Sequence, residues 1–130
     1  MSTGEDNLIK TDRQKWAEKA KPTQWSKKEI LGHLIDSTTY NLKWFTEIYV
    51  KPKIYQIVDY KQNDLVLINA YQSAETKDLI MLWVGLNRQI INVIKEQTEK
   101  TLQINARLPK QKITNLIFLI NDYLEHLEHM

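Results

Sequence analysis

The residues of this chain whose types and spacing could do chemistry are its three histidines. His33 lies near the start of the chain, whereas His126 and His129 lie close to its end, and each falls on a helical pattern. Helical bundles build metal sites in this way, with imidazoles that converge from two helices. Residues three or four positions apart share a helix face, so His126 and His129 are predicted to project from the same side. The sequence therefore predicts a three-histidine site for a divalent zinc, nickel, iron or manganese ion.

Two carboxylates are placed to support those histidines. Asp36 is predicted to share a helix face with His33, and Asp122 lies one turn before His126. A metal-bound imidazole commonly donates its second ring N–H to a carboxylate, which fixes the tautomer. Asp36 and Asp122 are therefore candidates to accept a hydrogen bond from a metal-binding imidazole and so to fix its orientation. The alternative is that each is a solvated carboxylate on a helix surface.

The three histidines can also be interpreted without a metal. His33 could be a hydrogen-bonded residue at the boundary of the core. His126 and His129 could face solvent near a helix C-terminus, where the helix dipole favours positive charge. The tripeptide 127–129 also resembles the start of an expression tag, although Met130 argues against that reading.

Composition narrows the class of protein. At 130 residues, with 42% hydrophobic and 26% charged residues, the chain is predicted to be one globular domain. It contains no cysteine, which excludes disulfides, thiolate zinc sites and cysteine nucleophiles. The net charge is only +2 and the lysines are dispersed, so we expect no nucleic-acid partner. No apolar run approaches the roughly 20 residues of a membrane span, and the polar start does not resemble a signal peptide. A cytoplasmic location is the expectation.

The elements that must position the histidines are predicted to be helices, because glycine and proline are scarce. The clearest helix runs from Lys27 to about Tyr49. Ser26 and Glu29 have the spacing of a capping box, and Trp25 and Ile30 have that of a hydrophobic staple.

Other helices follow from apolar periodicity and breaks. They are a first helix over 7–20, a short helix over 63–71 capped by Asn63, a long helix over 75–100 capped by Ser73, and a last helix from Ile113 to the end. Connections are predicted over 51–62 and 101–112, with residues 102–106 briefly extended. The fold class predicted is all-α, a four-helix bundle.

Three segments read together resemble the DinB-like superfamily, a group regarded as metal-dependent enzymes. The resemblance runs from Trp25 to the end of the chain and lies in three motifs: Trp25-Ser26-x-x-Glu29-Ile30-Leu31-Gly32-His33-Leu34-x-Asp36, Leu82-Trp83-x-x-Leu86-Asn87-Arg88 and Asp122-Tyr123-Leu124-x-His126-Leu127-Glu128-His129.

This resemblance implies a DinB-like four-helix bundle, often a homodimer, whose divalent metal is held by three histidines. His33 and His126 match the family's ligand positions. The third position falls on Met130, and His129 matches a further histidine often found beside that ligand. Characterised relatives include transferases that join bacillithiol, mycothiol or glutathione to electrophiles, and a thiol-dependent maleylpyruvate isomerase.

Two functions follow as hypotheses. The first is a metal-dependent enzyme with His33, His126 and His129 as ligands, a thiol S-transferase acting with a low-molecular-weight thiol in preference to a hydrolase. The second is a non-catalytic dimeric bundle, stress-related or ligand-binding, with a degenerate metal site. A thioether is a poor ligand for zinc or nickel, and the family's last helix usually continues beyond this point, so Met130 favours the second hypothesis unless His129 substitutes or the chain is truncated. Metal content separates the two hypotheses.

Overall fold

The chain is largely helical. The computed structural model describes residues 14–51 and 53–129. Residues 14–17 are helical, and the rest of the predicted first helix before residue 14 lies outside the described residues. The elements that follow are α1 (Lys27–Val50), β1 (Tyr55–Gln56), α2 (Gln62–Ile68), a 3-10 helix (Tyr71–Ser73), α3 (Thr76–Lys95), α4 (Glu99–Leu102), β2 (Asn105–Arg107), β3 (Ile113–Asn115) and α5 (Leu116–Glu128).

The start of α1 confirms the predicted capping box. The backbone N–H of Ser26 donates to Oε1 of Glu29 at 3.2 Å, and the N–H of Glu29 donates to Oγ of Ser26 at 3.1 Å. These two bonds satisfy backbone donors that the first helical turn leaves open. The helix ends at Val50, one residue beyond the predicted Tyr49.

Two predicted caps were wrong. Asn63 lies inside the first turn of α2, which follows Lys61 without a side-chain cap. Ser73 closes the 3-10 helix, and α3 begins only at Thr76.

The long third helix is also shorter than predicted. It ends at Lys95, because Thr98 and Thr101 form a reciprocal cap that starts α4 as a separate helix. The N–H of Thr101 donates to Oγ1 of Thr98 at 3.2 Å, and the N–H of Thr98 donates to Oγ1 of Thr101 at 2.8 Å. A capping box of this kind favours a new helix start over continuation of the old helix.

A small three-stranded sheet accompanies the helices of the predicted bundle and was not itself predicted. β1 pairs parallel with β2, where Tyr55 faces Ala106, and β2 pairs antiparallel with β3, where Ala106 faces Thr114. The predicted extended segment is therefore confirmed at β2, but residues 113–115 were wrongly placed in the last helix. The β-branched Ile113 and Thr114 favour a strand. Asn115 then caps α5, with its Oδ1 accepting from the N–H of Phe118 at 3.1 Å.

The described residues divide into two compact units. Residues 14–36 and 61–84 form the first, and residues 37–51, 53–60 and 85–129 form the second. The second unit contains a hydrophobic core cluster, which consists of Phe45, Ile48, Tyr55, Ile57, Ile90, Ala106, Leu116, Leu119, Ile120 and Tyr123. None of the described helices is long and apolar enough to cross a membrane.

In the first unit, Gln72 fixes the 3-10 helix against the beginning of α1. Its side-chain oxygen accepts from Oγ of Ser26 at 2.5 Å, and its Nε2 donates to the carbonyl of Ala17 at 2.8 Å. Nζ of Lys28 donates to the Gln72 backbone carbonyl at 3.3 Å. The segment that begins at Tyr71 is thereby held beside the face of α1 that carries His33 and Asp36.

Candidate functional site

His33 is buried in α1. Its side chain is only 9% exposed and its Nδ1 atom is buried. The ring centroid lies 5.2 Å from that of Trp25, with the two planes tilted by 32°. Trp25 directly precedes the helix cap, so the chain entering α1 covers the imidazole. His33 is therefore not a solvent-facing surface histidine.

Asp36 is buried one turn further along α1, at 5% exposure. Its Oδ1 accepts two hydrogen bonds, from the hydroxyl of Tyr71 at 2.5 Å and from Nδ2 of Asn69 at 3.0 Å. Nδ2 of Asn69 also donates to the Tyr71 hydroxyl at 3.3 Å. Oδ2 of Asp36 is buried as well, and no described residue donates a hydrogen bond to it. The reading of Asp36 as a solvated surface carboxylate is wrong.

The electrostatics of this cluster follow from burial. Desolvation raises the pKa of the Asp36 carboxyl above its ordinary value, against smaller lowering effects from the Tyr71 hydroxyl, the charge of His33 and the Asn69 amide. Burial, reinforced by the neighbouring carboxyl, also raises the pKa of Tyr71. His33 and Asp36 lie three positions apart in α1, a spacing that places their side chains on the same helix face.

Gly32 makes the approach of Tyr71 possible. A Cβ atom at this position would lie under 3.0 Å from Cγ, Cδ2 and Cε2 of the Tyr71 ring. Any other residue would displace the ring, whose hydroxyl reaches Asp36 one turn along the same helix. A glycine inside a helix costs about 1 kcal/mol relative to alanine. The close contact with the Tyr71 ring explains why a glycine occupies this helical position despite that cost.

Ala70 brings the two donors to one carboxyl. It lies between Asn69 and Tyr71 and adopts a left-handed conformation, with φ 54° and ψ 38°. Asn69 is the C-cap of α2, and Tyr71 opens the 3-10 helix. The left-handed residue reverses the chain at this point, so that both neighbouring side chains contact Asp36.

The other predicted site residues lie on and after α5. Asp122 and His126 are exposed on this helix. The helix ends at Glu128, so His129 is its exposed C-cap and does not lie within the helix as predicted. Met130 lies outside the described residues.

A complete metal centre is not present among the side chains that the structure describes. In residues 14–51 and 53–129, no group of three or more His, Cys, Asp or Glu side chains is placed to hold a metal ion. His33 with Asp36 supplies a buried histidine–carboxylate pair, which fits one ligand of such a centre and not the whole set. The ligands His33, His126 and His129, with Asp122 as support, stay a prediction.

The sequence did not identify Tyr71 and Asn69 as part of this cluster. They lie 35 and 33 residues from Asp36 along the chain, so no local spacing links them. One local signal was available, since a glycine inside a strongly helical pattern often marks a close approach by another group. Gly32 was such a glycine.

Comparison with known proteins adds evidence on the fold. No protein-family model matches the chain, and no curated protein matches it. Among solved structures, YfiT from Bacillus subtilis superposes with a TM-score of 0.76 at 14% sequence identity, over 99% of this chain and 83% of that one. The chain has a DinB/YfiT-like four-helix-bundle fold.

This match confirms the predicted fold class and the fold that the DinB-like resemblance implied. YfiT is described as a probable metal-dependent hydrolase with an unusual four-helix bundle topology. At 14% identity the likeness concerns the fold alone.

Proposed function

We propose that this chain is a metal-dependent enzyme that activates a water or a low-molecular-weight thiol for attack on an electrophile. Its ligands to a divalent zinc, nickel, iron or manganese ion would be His33, His126 and His129. The observation that carries the proposal is the buried pair of His33 and Asp36 on a fold shared with YfiT. The fold supplies the class of protein, and the pair supplies a group of the right chemistry within it.

Burial of the Asp36 carboxyl beside His33 costs free energy. A buried carboxyl loses its hydration, and one oxygen of Asp36 receives no compensating hydrogen bond from any described residue. A carboxylate next to a buried imidazole is the usual partner of a metal-binding histidine, because it orients the ring and raises its basicity. Buried ionisable groups of this kind cluster at functional sites.

Two reaction types fall under the proposal. A divalent ion with open coordination positions lowers the pKa of a bound water or thiol, which makes the bound group a nucleophile near neutral pH. Hydrolysis is the activity ascribed to YfiT. Thiol S-transfer is the activity of characterised members of the superfamily that the motifs resemble. Chromogenic esters test the first, and a dinitrophenyl halide with a bacterial thiol tests the second, each with metal-loaded and chelator-treated protein.

The metal itself is tested before any activity. Protein purified without a polyhistidine tag should contain about one divalent ion per chain by elemental analysis, and the stripped protein should rebind nickel or zinc in isothermal titration calorimetry. His33→Gln should weaken that binding at least tenfold while the thermal unfolding curve shows a folded protein. A wild-type protein that neither contains nor binds a divalent ion would leave the non-catalytic bundle as the better account.

Two variants test which residue near the end of the chain is the third ligand. His129→Gln weakens metal binding if His129 is a ligand, whereas Met130→His leaves it unchanged. If position 130 is the ligand position, Met130→His tightens nickel binding and His129→Gln has little effect. Calorimetry on both variants and the wild type decides between the two positions. If neither variant changes the affinity, both positions are excluded.

A further inference from the structure

An open cavity of about 430 Å³ lies in the first unit, at the start of α1. The described residues that line it are Thr23, Gln24, Trp25, Ile30 and Asn63. Its volume falls within the range of about 300–1,000 Å³ that small-molecule sites occupy. We propose that this cavity binds a neutral aromatic group with polar substituents. The inference rests on the proposed function in one respect, since it takes this group to be the organic part of the electrophile.

Two apolar side chains, Trp25 and Ile30, form walls of the cavity. Ile30 is a large hydrophobic side chain that stays 45% exposed, and Trp25 is half-buried. A ligand that covers the exposed part of Ile30 gains the free energy of removing apolar surface from water. The indole offers a flat face against which an aromatic ring can stack. These two side chains therefore favour a flat, apolar ligand.

Three polar side chains, those of Thr23, Gln24 and Asn63, complete the lining. All three are exposed, and none of them forms a side-chain hydrogen bond within the part of the chain that the structure describes. Asn63 lies inside the first turn of α2 and does not cap that helix. Amides and hydroxyls both donate and accept hydrogen bonds, so they suit nitro, carbonyl or hydroxyl substituents. None of the described lining residues is charged, which favours a neutral ligand over an ion.

Trp25 connects this cavity to His33. Its ring centroid lies 5.2 Å from that of the imidazole. Ile30 precedes His33 by three positions in α1, a spacing that places the two side chains on one helix face. A group bound in the cavity would thus contact a side chain that itself contacts His33. This contact is the reason to assign the cavity to the electrophile and not to an unrelated ligand.

The probe for the cavity is meta-dinitrobenzene, which is neutral and planar and lacks a leaving group. The full-length wild-type protein, treated with chelator, is titrated while its indole N–H NMR signals are recorded. The Trp25 signal is identified by its loss in Trp25→Phe. We expect this signal to shift during the titration, whereas those of Trp44 and Trp83, which do not line the cavity, stay unchanged. The anionic analogue meta-nitrobenzoate should bind more weakly.

Two variants test the two kinds of contact, and a third is their control. Ile30→Ser should weaken binding of the probe about fivefold, and Asn63→Ala about threefold. Ile80 is the matched control, because it lies in the same unit, is 41% exposed and does not line the cavity. Ile80→Ser should leave the affinity unchanged. If Ile30→Ser fails to fold, Asn63→Ala carries the comparison, since its side chain makes no bond to a described residue.

The outcomes keep this inference apart from the proposed function. The titration needs no metal, so a protein without metal affinity overturns the function while the titration still decides the role of the cavity. An unchanged Trp25 signal, or equal weakening by Ile30→Ser and Ile80→Ser, overturns binding in the cavity. Equal or tighter binding of meta-nitrobenzoate overturns the neutral class of ligand. In the metal-loaded enzyme, meta-dinitrobenzene should compete with the dinitrophenyl halide, and binding without competition overturns the assignment to the electrophile.

Discussion

At the scale of single residues, Gly32 determines whether Tyr71 can reach Asp36. The substitution Gly32→Ala places a Cβ atom under 3.0 Å from the Tyr71 ring. We expect it to lower the free energy of unfolding by about 1–3 kcal/mol through overpacking, although alanine is the better helix former. Urea denaturation measures the change.

Gly85 provides the opposite case for the same substitution. It lies inside α3, and a Cβ atom there meets nothing within 4 Å. Gly85→Ala should therefore raise the free energy of unfolding by about 1 kcal/mol through helix propensity alone. If both substitutions stabilise the protein equally, the close approach of Tyr71 to α1 is wrong.

The sequence predicted some of the contacts around the site and not others. The capping box of Ser26 and Glu29 was predicted correctly because both bonds join residues three positions apart. The partners of Asp36 come from 33 and 35 residues away, and nothing in the local pattern brings Asn69 or Tyr71 to α1. Local hydrogen bonding is encoded by spacing, whereas the pairing of distant polar groups depends on how elements pack.

At the scale of elements, the turn after α2 carries backbone strain. Ala70 has φ 54°, a conformation that costs an L-residue roughly 1–2 kcal/mol and glycine almost nothing. We expect Ala70→Gly to raise the free energy of unfolding by about 1 kcal/mol in urea denaturation. Ala74, three residues after Tyr71, has φ −80° and ψ 158°, so Ala74→Gly should instead lower it. Equal changes of one sign would contradict the assigned backbone conformations.

The same scale explains which elements the sequence predicted. The 24 residues of α1 repeat their apolar pattern over many turns and carry a cap, so their type and start were clear. The three strands are two or three residues long, too short for an alternating pattern to be distinctive. Their existence depends on the pairing of Tyr55 with Ala106 across 51 positions of the chain, counting from residue 55 to residue 106. Pairing over such a separation is decided by tertiary packing.

At the scale of the whole molecule, the fold resembles that of YfiT although the two sequences share few identical residues. A TM-score of 0.76 to YfiT over 99% of this chain accompanies only 14% identical residues. Helix lengths, caps and apolar faces specify a four-helix bundle, and many sequences satisfy them. Chemistry is less tolerant, because a metal centre requires particular side chains at particular positions. For this reason the fold was predictable from the pattern of the chain, while the ligand proposed near the last helix, His129 or residue 130, stays a prediction.

At the same scale, the stability of both described units is expected to depend on pH in the alkaline range. Burial raises the pKa of Tyr123, which a hydrogen bond from Thr38 only partly offsets, and burial together with a neighbouring carboxylate raises those of Tyr71 and Tyr55 above the ordinary value of 10.0. Both described units therefore contain a tyrosine that keeps its proton longer in the folded state than in the unfolded one. Their contribution to stability is fully present below pH 10.0 and is lost as the pH rises through the folded pKa values.

Tyr123→Phe tests this dependence at a site away from His33. The Tyr123 hydroxyl donates to Oδ1 of Asn87 at 2.6 Å, so it must accept the bond from Thr38, at 2.7 Å. The variant loses these bonds and should be less stable than the wild type at neutral pH by about 1–3 kcal/mol. Above pH 10.0 only the wild type releases the extra proton on unfolding, so the gap should narrow by up to about 1.4 kcal/mol per pH unit. Urea midpoints across this range measure the gap, and lysine deprotonation, common to both proteins, cancels. Parallel curves would show that Tyr123 ionises equally in both states, against the burial of its hydroxyl.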